Sequence, residues 1–130
     1  MESPVPDFLA ALAIVARPVG QGSYAFVEPN GSCRGFVQII VLPHRITIHR
    51  LWTRQPGGGH GRFILRALCD LADRHQVELS LKPLPIGRKP YPLNRDQLLA
   101  WYQRHGFTGT RRKLIRPPGK PVDAPNAART

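Results

Sequence analysis

The chain has 130 residues, 42% of them hydrophobic. That is enough for one domain with a real core, and too apolar for wholesale disorder. Nineteen lysines and arginines against 8 acids give a net charge of +11. Such an excess signals either attraction to a polyanion (a nucleic acid, an acidic protein or a phosphorylated cofactor) or simply good solubility. Cys33 and Cys69 match no zinc or redox spacing, and the five histidines share no metal spacing either. The longest apolar run, Phe8 to Ala16, is too short to cross a bilayer.

The first seven residues are acidic and lack the positive charge of a signal peptide, so a soluble, cytoplasmic protein is expected. Asp7 is a plausible N-cap for a helix over residues 8–17, ended by Pro18 and Gly20. Ser23 to Glu28 reads as a strand, and Pro29-Asn30-Gly31-Ser32 as a turn. Gly35 to Leu42 is a largely apolar strand. The short link Pro43-His44 joins it to a strand from Arg45 to Thr53, so the two should pair antiparallel.

Next comes the most informative segment, Gly57-Gly58-Gly59-His60-Gly61. It stands between that strand and a helix over 62–73, whose Ile64, Leu65, Leu68, Leu71 and Ala72 recur at helical spacing. Four glycines in five residues let backbone approach a ligand, and the helix start offers unpaired N–H groups at the positive end of its dipole. Strand, bare turn and helix N-terminus together suit an anion, most naturally a phosphate.

Val77 to Leu81 alternates apolar and polar, so it reads as a strand parallel to 45–53 across the intervening helix. Lys82 to Leu93 is a basic, proline-rich loop with Arg88 and Lys89. Asn94 and Gln97 form a capping box for a helix through Gln103, with Gly106 as its C-cap glycine. Phe107 to Arg116 supplies one or two final strands. Four prolines from Pro117 onward, among small polar residues, read as a disordered tail.

The glycine turn lacks the lysine and hydroxyl of a Walker loop, and Ile64 stands where a dinucleotide fingerprint needs its third glycine. It instead resembles the phosphate loop of the acyl-CoA N-acyltransferase (GCN5-related N-acetyltransferase) family, whose signature is Arg/Gln-x-x-Gly-x-Gly. Two registers fit. Arg54-Gln55-Pro56-Gly57-Gly58-Gly59 satisfies the pattern literally. The alternative pairs Gly59 and Gly61, with Pro56 in place of Arg or Gln, and is preferred because it sets the apolar helix face correctly. Downstream, Leu98 to Phe107 is similar to the second half of the family's Asn-x-x-Ala-x-x-x-Tyr-x-x-x-Gly-Phe element, and Lys113 to Pro117 to its last strand. The likeness covers about 45–118, and the region before it is shorter than the family's first half.

The resemblance implies an α/β (α+β) fold with a mostly antiparallel mixed sheet, one parallel and splayed strand pair, and flanking helices. It places one such domain over 1–118, followed by a tail over 119–130. It implies acetyl-CoA as co-substrate between strands 45–53 and 77–81. Backbone of Leu51 and Thr53 would pair with the pantetheine, and one N–H could polarise the thioester carbonyl. The pyrophosphate would lie on Gly57, Gly58, Gly59, His60, Gly61 and Arg62, with Arg54, Arg62, Arg66, Arg88 or Lys89 near the phosphates. Tyr102 would be the general acid. His49, beside the expected thioester, is the first candidate for general base, with Glu78 an outside one. Trp52 and Trp101 read as core aromatics.

The expected activity is therefore acetyl transfer to a primary amine of a protein, a small molecule or an aminoacyl-tRNA. The competing reading is a non-catalytic module of the same fold that binds a nucleic acid or an acidic protein through its basic surface. No membrane partner and no metal are expected.

Overall fold

The computed structural model describes residues 3–54, 59–83 and 94–119. Helix α1 spans Val5–Val15 and buries Val5, Phe8 and Leu12, one residue per turn. It starts earlier than the cap at Asp7 suggests. Pro4 holds helical backbone, and the Ser3 hydroxyl accepts the Val5 N–H at 3.1 Å, so the first turn forms ahead of Asp7. It also ends earlier. Ala16 is extended, and Arg17–Gly20 forms an edge strand, β1, where the sequence suggested only a helix stop. Proline at position 18 is compatible with a strand only because this one lies at the sheet edge.

Strands β2 (Ser23–Val27), β3 (Cys33–Leu42) and β4 (Arg45–Thr53) follow as an antiparallel meander with the expected turns. Helix α2 (His60–His75) then crosses over to β5 (Glu78–Leu81), which lies parallel to β4. Helix α3 (Arg95–Arg104) begins in the expected capping box. The Asn94 side chain accepts the Gln97 N–H at 2.8 Å, and Gln97 returns a bond from the Asn94 N–H at 2.9 Å. Gly106 beyond its end has φ +95°, the left-handed geometry expected of a C-terminal glycine. Strands β6 (Thr108–Thr110) and β7 (Lys113–Arg116) close a seven-stranded sheet of order β1-β2-β3-β4-β5-β7-β6, in which only β4 and β5 are parallel.

The core lies between α2 and one face of this sheet. Ile64, Leu65, Leu68, Leu71 and Ala72 of α2 meet Val37 and Ile39 of β3, Ile46 and Ile48 of β4, Leu79 and Leu81 of β5, and Leu114 of β7, all buried. Phe8 and Leu12 of α1 extend it at one side, and Leu98, Tyr102 and Phe107 at the other. Cys69 is buried here, and desolvation pushes its thiol up to about 11, so it behaves as a small apolar side chain.

One arginine ties β7 to α2 and to the end of α3. Arg116 of β7 donates to both Asp73 oxygens, at 2.6 and 2.9 Å, and through Nε to the His105 carbonyl at 2.7 Å. The Gly119 N–H adds a bond to Asp73 at 2.7 Å, and Gln76 donates to the Gly119 carbonyl at 2.8 Å. The stretch from Pro117 that reads as tail in the sequence is thus fastened as far as Gly119, while 120–130 lie outside the described residues. Burial alone would raise the Asp73 carboxyl, but the Arg116 guanidinium and the Gly119 N–H outweigh it and hold the group below the usual carboxylate range.

A carboxylate depressed on folding contributes stability above its unfolded value near pH 4, and loses it as pH falls. The midpoint of thermal unfolding should therefore drop between about pH 5 and pH 3, and Asp73→Asn should flatten that part of the profile. Because the substitution leaves Arg116 without its partner, it should also cost about 3 kcal/mol in urea unfolding at neutral pH. A mutant as stable as the parent, with the same acid sensitivity, would show that the pair holds nothing together.

Candidate cofactor-binding site

The site begins with an irregularity in β4. Gln38 pairs with Arg50, but Ile39 pairs with Ile48, leaving His49 as one extra residue without a partner on β3. A bulge of this kind shifts the side-chain alternation by one. Before it Ile46 and Ile48 face the helices; after it Leu51 and Thr53 do, while Arg50 and Trp52 turn to the opposite face. The shift is visible in the sequence, where inward positions change from even to odd numbers between Ile48 and Leu51, although alternation alone did not single it out.

The bulge also coincides with the end of the parallel pairing. The last β4–β5 partners are Ile48 and Leu81, so β4 continues past its neighbour. The Arg54 N–H donates to the Arg34 carbonyl of β3 at 2.9 Å. By alternation the N–H and C=O groups of Thr53 and Leu51 point the other way, toward the edge that β5 has left. The parallel pair therefore stops short of Leu51 and Thr53, which lie on β4 beyond the end of β5.

The N-terminus of α2 faces that opening. Gly59 occupies the N-cap position at φ +86°, where a side chain would be strained, and no side chain caps the helix. Its first turn holds no acid. The first bond back along the helix is from the Phe63 N–H to the Gly59 carbonyl, so the N–H groups of His60, Gly61 and Arg62 have no intrahelical acceptor. Gly61 is packed closely: a Cβ there would lie 3.4 Å from the Thr53 methyl and 3.5 Å from the Trp101 ring. Trp101, expected only as a core aromatic, therefore walls the turn from the α3 side.

Two buried polar atoms sit at this junction without a partner among the described residues, Thr53 Oγ1 and His60 Nδ1. Thr53 is 3% exposed. Buried hydroxyl and imidazole groups normally find hydrogen bonds, so two orphans beside an uncapped helix start fit a polar ligand.

The remaining candidates fall into place unevenly. Arg62 and Arg66 are exposed one turn apart on α2. Burial and the charges of Arg66, Arg104, Arg62 and Arg116 push the His105 imidazole below its ordinary value, which marks the positive potential between α2 and α3. Arg54 is exposed and reaches Glu28 at 3.5 Å, so its side chain turns toward β2. Glu78 pairs with Arg45 at 2.6 Å, at the end of the parallel pair away from the opening. His49, the bulge residue, is exposed at the point where the strands part. Tyr102 is buried against Phe107, ring centroids 5.7 Å apart, and burial pushes its phenol further above its ordinary value. Gly57, Gly58, Arg88 and Lys89 lie outside the described residues. Among the described residues no cluster of His, Cys, Asp and Glu could hold a metal ion, and no helix is long and apolar enough to cross a membrane.

No protein-family model matches the sequence, and no curated protein matches it. Solved structures do. The chain is similar to the putative acyl-CoA N-acyltransferase from Klebsiella pneumoniae, with a TM-score of 0.52 and 16% identity over 92% of each chain. The chain has the acyl-CoA N-acyltransferase fold. An acetyltransferase from Bacillus cereus is also similar, with a TM-score of 0.44 and 14% identity over 87% of this chain and 85% of that one. In an acyl-CoA N-acyltransferase fold of this size, the mixed sheet and its one parallel pair are as the sequence led one to expect.

Thr53→Val tests the orphan hydroxyl. Removing a buried, unpartnered donor while keeping the shape should leave the free protein as stable as the parent, or more stable by up to about 1 kcal/mol in urea unfolding. Marked destabilisation would mean that Oγ1 has a protein partner.

Proposed function

We propose that this protein is an acetyl-CoA-dependent N-acyltransferase that acetylates a primary amine. The carrying observation is that the α2 N-terminus, packed on Thr53 through Gly61, the β4 edge beyond Ile48 and the polar atoms Thr53 Oγ1 and His60 Nδ1 all lack partners among the described residues. The residues present fit an acyl-CoA. Backbone N–H groups of Gly59 to Arg62, with the preceding Gly57 and Gly58, would hold the pyrophosphate at the positive helix end. The edge groups of Leu51 and Thr53 would bond the pantetheine amides as a missing strand would. Arg62, Arg66 and, less directly placed, Arg54 would add charge-assisted contacts.

Bound acetyl-CoA would supply the activated thioester. The protein's part is to position it and to manage charge and protons. A β4 edge N–H at the bulge would stabilise the negative charge that develops on the carbonyl oxygen during amine attack. His49 Nδ1 or Nε2 would take the proton of the incoming amine, since imidazole suits that task near neutral pH. Tyr102 would hold its phenolic proton and offer it to the departing sulfur. Its burial keeps that proton in place, at the cost of making it a weaker acid.

A thermal-shift titration should show stabilisation by acetyl-CoA, about 2.7 kcal/mol at a hundredfold excess over Kd. Thr53→Val should reduce that shift although it does not destabilise the free protein. No shift at millimolar concentrations would remove the cofactor assignment. Tyr102→Phe should lower kcat about a hundredfold while sparing acetyl-CoA affinity, and unchanged turnover would remove the acid role.

A further inference from the structure

The register of the sheet builds a second surface, on the face away from α2. Across β1, β2, β3 and β4 runs a row of directly opposed residues: Arg17, Ala25, Phe36 and Trp52. The next row carries Ser23, Gln38 and Arg50. Phe36 and Trp52 stack with ring centroids 5.4 Å apart and planes 24° from parallel. Trp52 is 41% exposed and Ile40, further along the same face, 45%. Arg17 and Arg50 flank the aromatic pair and enter no ion pair among the described residues; the nearby acids are already bonded, Glu78 to Arg45 and Glu28 to Arg54.

An exposed aromatic stack between unpaired arginines, on a chain of net charge +11, narrows what can cover it. A second copy would bring the same positive charge against itself. An acidic peptide would satisfy the arginines but has no use for the exposed indole of Trp52. A duplex would satisfy the arginines too, but its base faces are already stacked. A single strand uses both features, because its phosphates pair with arginine while its unpaired bases stack on aromatic rings. We infer that the open face of the sheet binds a single-stranded nucleic acid, with a base stacked on Trp52 and phosphates on Arg17 and Arg50. The surface owes its arrangement to the His49 bulge, which turns Arg50 and Trp52 outward together. It is independent of acetyl-CoA binding, so either assignment can fail alone.

The test is fluorescence anisotropy of a fluorescein-labelled oligouridylate of about 12 nucleotides with the full chain, over about 50–200 mM salt. Binding that weakens steeply with salt is expected. Trp52→Ala should weaken it about tenfold or more and Trp52→Phe much less, as loss of base stacking requires. Arg50→Gln and Arg17→Gln should each lower the log–log salt slope by about 0.7. Arg74→Gln, which removes the same charge from the exposed side of α2, should change little. An oligodeoxythymidylate bound as tightly also supports the surface, since the chemistry is shared. Three results would overturn the inference: no anisotropy change at about 100 µM protein in 100 mM salt, a duplex bound as tightly as the strand, or folded Trp52 and Arg50 variants that bind like the parent or no worse than Arg74→Gln.

Discussion

Everything distinctive in this structure depends on one unpaired residue in the middle of a strand. Were His49 paired in the regular ladder and not bulged out, β4 would keep a single alternation, and Arg50 and Trp52 would point into the core while Leu51 and Thr53 pointed out. The bulge reverses that at the point where β5 stops pairing. One step of backbone therefore brings Thr53 under the α2 N-terminus and sends an aromatic and a cation to the opposite face. A packing constraint on one side of the sheet thus determines the chemistry available on both.

The helix that covers the site makes a complementary bargain. Its start has no side-chain cap and no acid, which leaves N–H donors of the first turn without partners among the described residues. Stability is recovered at its other end, where Asp73 meets Arg116 and the Gly119 N–H. Local weakness at one terminus and strong pairing at the other are what a helix needs if it is to keep its first turn open to an anion.

Much of the fold was legible in the sequence where local chemistry has one solution. The Asn94–Gln97 box, the Pro43-His44 link and the period of α2 each admit little else. The errors arose where context decides. Arg17–Gly20 is exposed throughout and contains proline, so nothing in it announces a strand; only pairing with β2 makes it one. Ser3 and Pro4 begin α1 together, a combination that the stronger-looking cap at Asp7 concealed. At the candidate site, Gly59 and Gly61 could be picked out because a bare turn after a strand has few uses, whereas only the family resemblance points to Thr53. Trp101 could not, since its contact with Gly61 joins residues 40 positions apart and leaves no local trace. Nor could the clamp at Arg116, for the same reason.

The position of β7 has a consequence for how the chain can reach this state. It is the last strand described, yet it lies inside the sheet, between β5 and β6, and carries the arginine that joins α2 to the end of α3. During vectorial synthesis the β1–β4 meander and α2 can assemble early, because their contacts are close in sequence. β5 then waits with one edge bare until more than thirty further residues, roughly two to six seconds of translation at ordinary rates, have emerged. For that interval the nascent domain has an apolar, unpaired strand edge, which is later covered by β7.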